Sequence, residues 1–299
     1  GDFVFPIDPT PITGLGPEQL GRGILTELGV VWPEDESPLV NPAYQVILPE
    51  HRIDFFNNPD ALFSELAREF PEQDEDIRDF YAIAQSASSA LHTWISAHPH
   101  IQPKSLQDYF SYLKIYPHVL RYKFGAVKFD KILSQNPQLE KTWEAQHALL
   151  ACNHADLFSF GSAFQYSAPL RGVSFFPQGK QFLFNALIKK IESDKGLYLT
   201  PCEILSISKG KMIELEIRSK EGSTSKVSGR QLIISTKSDK VMKLSDKPIN
   251  FSDQMRPAKI AFYPFTLFLG IAGKCLPEQI APHIAVVSDV HKSLFDDNL

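Results

Sequence analysis

Residues 175–208 read FFPQGKQFLFNALIKKIESDKGLYLTPCEILSIS. Pro177 and Gly179 mark a turn at the start. From Gln181 onward, Phe182, Leu183, Ala186, Leu187 and Ile191 recur at helical spacing on one face, with Lys189, Lys190 and Glu192 outside it. Lys195–Gly196 ends that helix, and LYLTPCEILSI runs out as a strand. This unit reads as one wall of a cofactor-binding domain, although no phosphate-cradling glycine loop precedes it. Helix–strand units are common, and a purely structural role is the alternative.

Outward from this stretch, the texture is β on one side and α on the other. LYLTPCEILSISKG, KMIELEIRSKEG and KVSGRQLIIST alternate, with turn signals at Lys209–Gly210 and Glu221–Gly222. They predict a three-stranded meander over 197–236. Farther on, KIAFYPFTLFLGI and HIAVVSD predict a strand pair.

Toward the N-terminus, FDKILSQNPQLEKTWEAQHALLACNH predicts helix broken at Pro137, and SLQDYFSYLKIYPHVLRYKF predicts helix broken at Pro117. EQDEDIRDFYAIAQSASSALHTWISAH carries Ile77, Phe80, Tyr81, Ala84, Ala87, Leu91 and Ile95 at helical spacing. Before it, NPDALFSELAREFP predicts a helix capped by Asn58 or Asp60, and AYQVILPEHRIDFF a hairpin around PEH. Residues 1–40 are rich in Pro and Gly. One short helix fits there, with Pro17 in its first turn and Gly29 just past its end. The fold class expected is α/β in the α+β sense, a mixed sheet with helices on one side plus a helix and meander. The expected divisions are 1–43, 44–172, 173–245 and 246–299.

Composition narrows the function classes. The chain has 299 residues, 43% hydrophobic and 22% charged, enough to bury a sizeable core. Its net charge of −5 and dispersed Lys and Arg argue against nucleic-acid binding, which calls for a basic footprint. Cys152, Cys202 and Cys275 are far apart and odd in number, so neither a disulfide framework nor a zinc pattern emerges. A reducing, cytoplasmic setting follows, with peripheral membrane contact as a further option. No apolar run is long enough to cross a bilayer. No Met precedes Met212, which suggests an excised piece of a longer protein.

Familiar catalytic spacings are missing. Gly14, Gly16, Gly21 and Gly23 do not fit G-x-G-x-x-G. His98–His100 and Cys152–His154 lack helical ligand spacing, and the acid run Glu72–Asp76 suits the start of a helix better than a metal. Neither a G-x-S-x-G elbow nor a P-loop is present. No catalytic residue can be named.

The order of elements resembles the phytoene desaturase branch of the FAD-dependent amine-oxidase-like flavoproteins, which includes carotenoid desaturases and isomerases and retinol-saturase-like proteins. Their middle region reads G-x-x-Y/F-P-x-G-G, a helix, a glycine, a strand with V-x-x-I, a meander and VI. Here the corresponding residues are GVSFFPQGKQFLFNALIKKIESDKGLYLTPCEILSISKGKMIELEIRSKEGSTSKVSGRQLIIST. DFVFPIDPTPITGLGPEQLGRGILTELGV looks like the segment after the family's N-terminal FAD loop, and NPAYQVILPEHRIDFFNNPDALFSELAREFPEQDEDIRDFY like its hairpin and helix leading into the substrate domain. WEAQHALLACNHADLFSFGSAF and LFLGIAGKCLP, followed by HIAVVSDVHKSLFDDNL, are similar to later parts of that domain.

The resemblance implies an FAD-dependent oxidoreductase acting on an apolar small molecule of isoprenoid or polyene type. It implies cofactor contacts at Gly179, Pro201 and Cys202, with the Cys202 backbone beside the adenine. It also implies that the glycine loop for the pyrophosphate precedes Gly1, so that this chain alone binds FAD weakly or not at all. One position departs from the pattern: Lys180 stands where the family has its second turn glycine. That leaves two alternatives, a non-enzymatic binding protein resembling GDP-dissociation inhibitors and an amine-oxidase- or protoporphyrinogen-oxidase-like enzyme.

Overall fold

A computed structural model describes residues 11–17, 19–31, 39–98, 106–151, 159–176, 179–236, 238–245, 267 and 269–292. Among the described residues 51% are helix and 16% strand, the strands gathered into two small sheets, so the class is α+β. The chain forms two compact units, one of residues 1–187 and 268–299, the other of residues 188–267.

Local chemistry sets the helix ends in the first unit. Gly16 and Pro17 form a turn closed by a hydrogen bond from Gln19 N to Gly16 O (3.1 Å), and helix α1 (Leu20–Glu27) starts only after it. Pro17 therefore lies before the first helical turn, because its fixed φ suits the second position of the β-turn. Gly29 ends α1 as expected, with φ of 69° and the paired bonds Gly29 N to Thr26 O and Val30 N to Leu25 O. The flanking loops reach across the fold, where Ile12 and Leu39 both bridge to Ser174.

The hairpin forms as expected from strands β1 (Tyr44–Ile47) and β2 (Arg52–Phe55), paired Tyr44 to Phe55 through Ile47 to Arg52. Helix α2 (Pro59–Glu69) takes Asn58 as its cap, whose side-chain oxygen accepts from Ala61 N at 3.0 Å. A 3-10 turn (Pro71–Gln73) leads into α3 (Asp74–Ala97), which buries Ile77, Phe80, Tyr81, Ala84, Ala87, Ser88 and Trp94.

Helix α4 (Leu106–Leu133) differs from the expectation, because it runs through Pro117 without a break. Proline removes one hydrogen bond, the one to the carbonyl of Leu113. Leu113 and Pro117 both lie on the exposed side, where water can serve that carbonyl. Buried Ile115 and Tyr122 anchor the helix before and after it. The break at Pro137 holds: Asn136 caps α5 (Pro137–Ala151) by accepting from Leu139 N at 3.0 Å. Short helices α6 (Ser162–Tyr166) and α7 (Ala168–Arg171) follow, and Gly172 with φ of 97° ends them. Helix α8 (Gln181–Ser193) has the expected boundaries and sets Phe182, Leu183 and Leu187 against Leu25 and Phe176.

The main core lies between the hairpin and α2–α6, with Tyr44, Phe55, Leu66, Phe80, Phe129 and Trp143 at its centre. The returning chain completes the sheet. Strand β6 (Ile284–Val286) pairs parallel to β1 and gives the order β2-β1-β6. Gln45, 1% exposed, fixes this return: its Nε2 donates to Asp54 Oδ1 and to Gln279 O, each at 2.8 Å, and its Oε1 accepts from Ala281 N at 2.9 Å. The other expected strand, KIAFYPFTLFLGI, lies mostly outside the described residues; its described positions 267 and 269–271 are not strand.

The second unit holds the expected meander, strands β3 (Cys202–Lys209), β4 (Ile213–Ser219) and β5 (Thr224–Gly229) in that order. Helix α9 (Ser238–Leu244) follows, and Ser245 makes a bridge with Ile207. The strands are shorter than the sequence patterns. Cys202 pairs with Ser219 and Gly229 with Ile213, the two ends of β4. Residues 197–200 and 231–236 run past the ends of their partner, so they stay out of the sheet.

Candidate functional site

A cleft of about 760 Å³ opens between α3 and α4. Its origin is legible in α3. Ser86, Ser89, Ala90, Thr93 and Ala97 recur at helical spacing, and side chains that small leave room beside the neighbouring helix. From α4, Phe110, Ser111, Lys114, Ile115 and His118 face that space. Trp94 forms part of the wall and is fixed from three sides. Its Nε1 donates to Ser111 Oγ at 3.1 Å, its ring stacks on His98 at 5.2 Å, and Tyr112 packs against it at 4.7 Å. Ser111 passes the bond on to Asp108 O at 2.6 Å.

Ser86 Oγ and His118 Nδ1 are 3.3 Å apart in this cleft. A serine beside a histidine is the first half of a nucleophilic pair, but no carboxylate orients the imidazole among the described residues. The cleft has mixed walls, aromatic and aliphatic at Trp94, Phe110 and Ile115 and polar at Ser86, Ser89, Gln107, Lys114 and His118.

A smaller pocket of about 210 Å³ lies on the other side of α3, bounded by Gly14, Gln19, His92, Phe164 and Arg171. The Arg171 guanidinium sits 5.7 Å from the Phe164 ring centre, and its Nη2 donates to Ser89 Oγ at 3.2 Å. Burial pulls its pKa below the usual arginine range. The Gln19 side chain donates to the Arg171 carbonyl and ties the N-terminal loop to α7.

The residues singled out from the sequence fall in two places. Gly179 belongs to the first unit, with φ of 74° and its N–H donating to Phe176 O at 2.9 Å. It takes the left-handed position of the turn. Lys180 has no positive φ; its carbonyl accepts from Leu183 N at 3.1 Å and opens α8. Lysine in the family's glycine position therefore leaves the turn unstrained. Pro201 and Cys202 belong to the second unit, at the head of the edge strand β3. Cys202 is exposed, and its Sγ lies 3.4 Å from Leu199 O. Pro177, His100, Cys152 and His154 lie outside the described residues.

Among the described residues, no three His, Cys, Asp or Glu side chains gather as a metal site, and no helix is long and apolar enough to cross a membrane.

The sequence reading missed the α3–α4 cleft and the Arg171 pocket. The signal for the cleft was present as the run of small residues at 86, 89, 90, 93 and 97 inside a long helix. The Arg171 pocket joins residues more than 150 positions apart and leaves no such local trace. No family model, curated protein or solved structure matches this chain.

Proposed function

We propose that this chain is the substrate-binding part, with an adjoining meander, of an FAD-dependent oxidoreductase of the phytoene-desaturase-like type. Its substrate is apolar, of isoprenoid or polyene character. The observation that carries the reading is the state of the two apolar runs flanking the meander. Leu197 is 85% exposed and Ile233 95% exposed, and neither run pairs with a strand among the described residues. β-prone apolar segments in the open are surfaces that call for cover. The resemblance assigns both runs to the FAD domain, whose sheet would cover them.

The α3–α4 cleft supports the substrate side of the reading. Phe110, Ile115 and Trp94 offer contact area to a hydrocarbon, while Ser86, Ser89 and His118 can fix a polar end. The flavin would supply the redox chemistry. The share of this chain is to bind the hydrocarbon, orient it and exclude water.

The test uses the longest natural polypeptide that contains this chain. The expected result is stoichiometric flavin in its absorption spectrum, with alkylation of Cys202 slowed by FAD and that of Cys275 unchanged. A colourless protein that takes up no FAD, and whose Cys202 reacts equally fast with and without it, contradicts the proposal and favours a binding protein.

A further inference from the structure

Helix α4 is apolar on two opposite faces. Ile115, Tyr122, Ala126, Phe129 and Leu133 form the face buried in the core. Leu106, Tyr109, Leu113, Tyr116, Phe124 and Val127 recur at helical spacing on the opposite face, and all are more than half exposed. Phe110 widens this outer stripe. A helix that serves only its own core has a polar outer face. Here the outer face is as apolar as the inner one, over most of 28 residues.

Charge tells what can cover it. The helix carries Lys114, Arg121, Lys123, Lys128 and Lys131 against Asp108 and Asp130, in a chain whose net charge is −5. Helical spacing sets Lys114, Arg121 and Lys128 along one rim of the stripe, Lys123 and Asp130 along the other, and Lys131 at the C-terminal end of the stripe. Lys128 pairs with Asp76 and Asp79 of α3, at 2.8 and 3.7 Å. Lys114, Arg121, Lys123 and Lys131 have no carboxylate partner among the described residues. Tyr109 and Tyr116, with an apolar ring and a polar tip, lie toward one rim of the same stripe. An apolar stripe with aromatic residues and cationic rims matches a bilayer interface: hydrocarbon receives the stripe, and anionic headgroups meet the rims. A second copy docked antiparallel through the same face would set the Lys114, Arg121 and Lys128 rim against itself.

We propose that α4 is a docking helix that lies in the plane of an anionic lipid surface, with its outer stripe among the acyl chains. Phe110 and Lys114 belong both to this face and to the wall of the α3–α4 cleft. Docking therefore sets the cleft beside the apolar phase, from which a hydrocarbon guest can enter without crossing water. The docking itself does not depend on the flavin reading.

The test is sedimentation of the full 299-residue chain with vesicles of phosphatidylcholine, with and without a third of phosphatidylserine. The expected result is binding that rises at least tenfold with phosphatidylserine and weakens with salt. Leu113→Glu with Phe124→Glu is expected to abolish it while leaving circular dichroism and the unfolding midpoint unchanged, since both side chains face outward. Arg121→Gln with Lys123→Gln is expected to keep the fold and lose most of the preference for phosphatidylserine. Three results would overturn the proposal. One is failure to bind either vesicle. Another is binding that the glutamate pair leaves intact. The third is a dimer in solution that the glutamate pair dissociates, which would assign the face to a second copy.

Discussion

The rings of Phe80 on α3 and Phe129 on α4 lie parallel, 4.3 Å between centroids and 5° between planes. Both side chains are almost wholly buried, and Phe80 also meets Tyr122 and Tyr166. This stack joins the two helices that bound the cleft. Phe129→Ala removes half of it and leaves a cavity that the neighbouring rings cannot fill. The expected cost is about 3–5 kcal/mol. Urea denaturation followed by circular dichroism measures it; a loss below about 1 kcal/mol would mean that the stack does not hold α3 to α4.

Lys195 holds the left-handed position after α8, with φ of 64°, and Gly196 N donates to Ile191 O at 2.8 Å. Lysine is strained in that conformation and glycine is not. Lys195→Gly is therefore expected to stabilise the helix end by about 0.5–1 kcal/mol after glycine's extra freedom in the unfolded chain is deducted. Thermal unfolding reads the gain, and destabilisation would show that the turn is not formed as described.

Gln45 satisfies two acceptors and one donor from a single buried amide. Gln45→Leu fits the space but leaves Gln279 O and Ala281 N without that partner. A loss of about 1–3 kcal/mol is expected. Hydrogen exchange at Ala281 is expected to accelerate, since its N–H donates to the Gln45 amide. Unchanged protection there would detach Gln45 from the returning chain.

Tyr44 and Tyr81 are buried in the main core, and burial pushes both phenols well above their ordinary range. A pKa raised by folding means stability that is complete below the unfolded value of about 10 and lost as pH rises toward the folded value. The last tyrosinate absorbance is expected to appear together with loss of the far-ultraviolet signal. Complete tyrosine titration of a still-folded chain would contradict the burial of this pair.

Local punctuation made much of the fold legible. Asn58 announced its helix through a cap side chain just before a proline, Pro137 announced the break before α5, and Gly29 announced a helix end. Each is an interaction within five residues. Pro117 misled because its cost depends on which side of the helix it occupies, and the outward side follows only from tertiary packing. The parallel pairing of β1 with β6 joins Gln45 to Ile284 across the chain and has no local signature. The ends of β3 and β5 follow from the length of β4, a property of the partner. For the candidate site, Gly179 was legible as a turn residue, whereas the α3–α4 cleft required knowing that these two helices are neighbours. The outer stripe of α4 was written in the spacing 106, 109, 113, 116, 124 and 127. It was hidden because the inner face repeats with the same period.

The most direct test of the central claim is anaerobic mixing of the flavin-bearing natural polypeptide with an isoprenoid polyene, followed by the flavin absorbance. Bleaching by the polyene, with a polar amine leaving the band unchanged, is the expected result. A flavin that only the amine reduces, or a polypeptide that holds no flavin to reduce, would contradict the account.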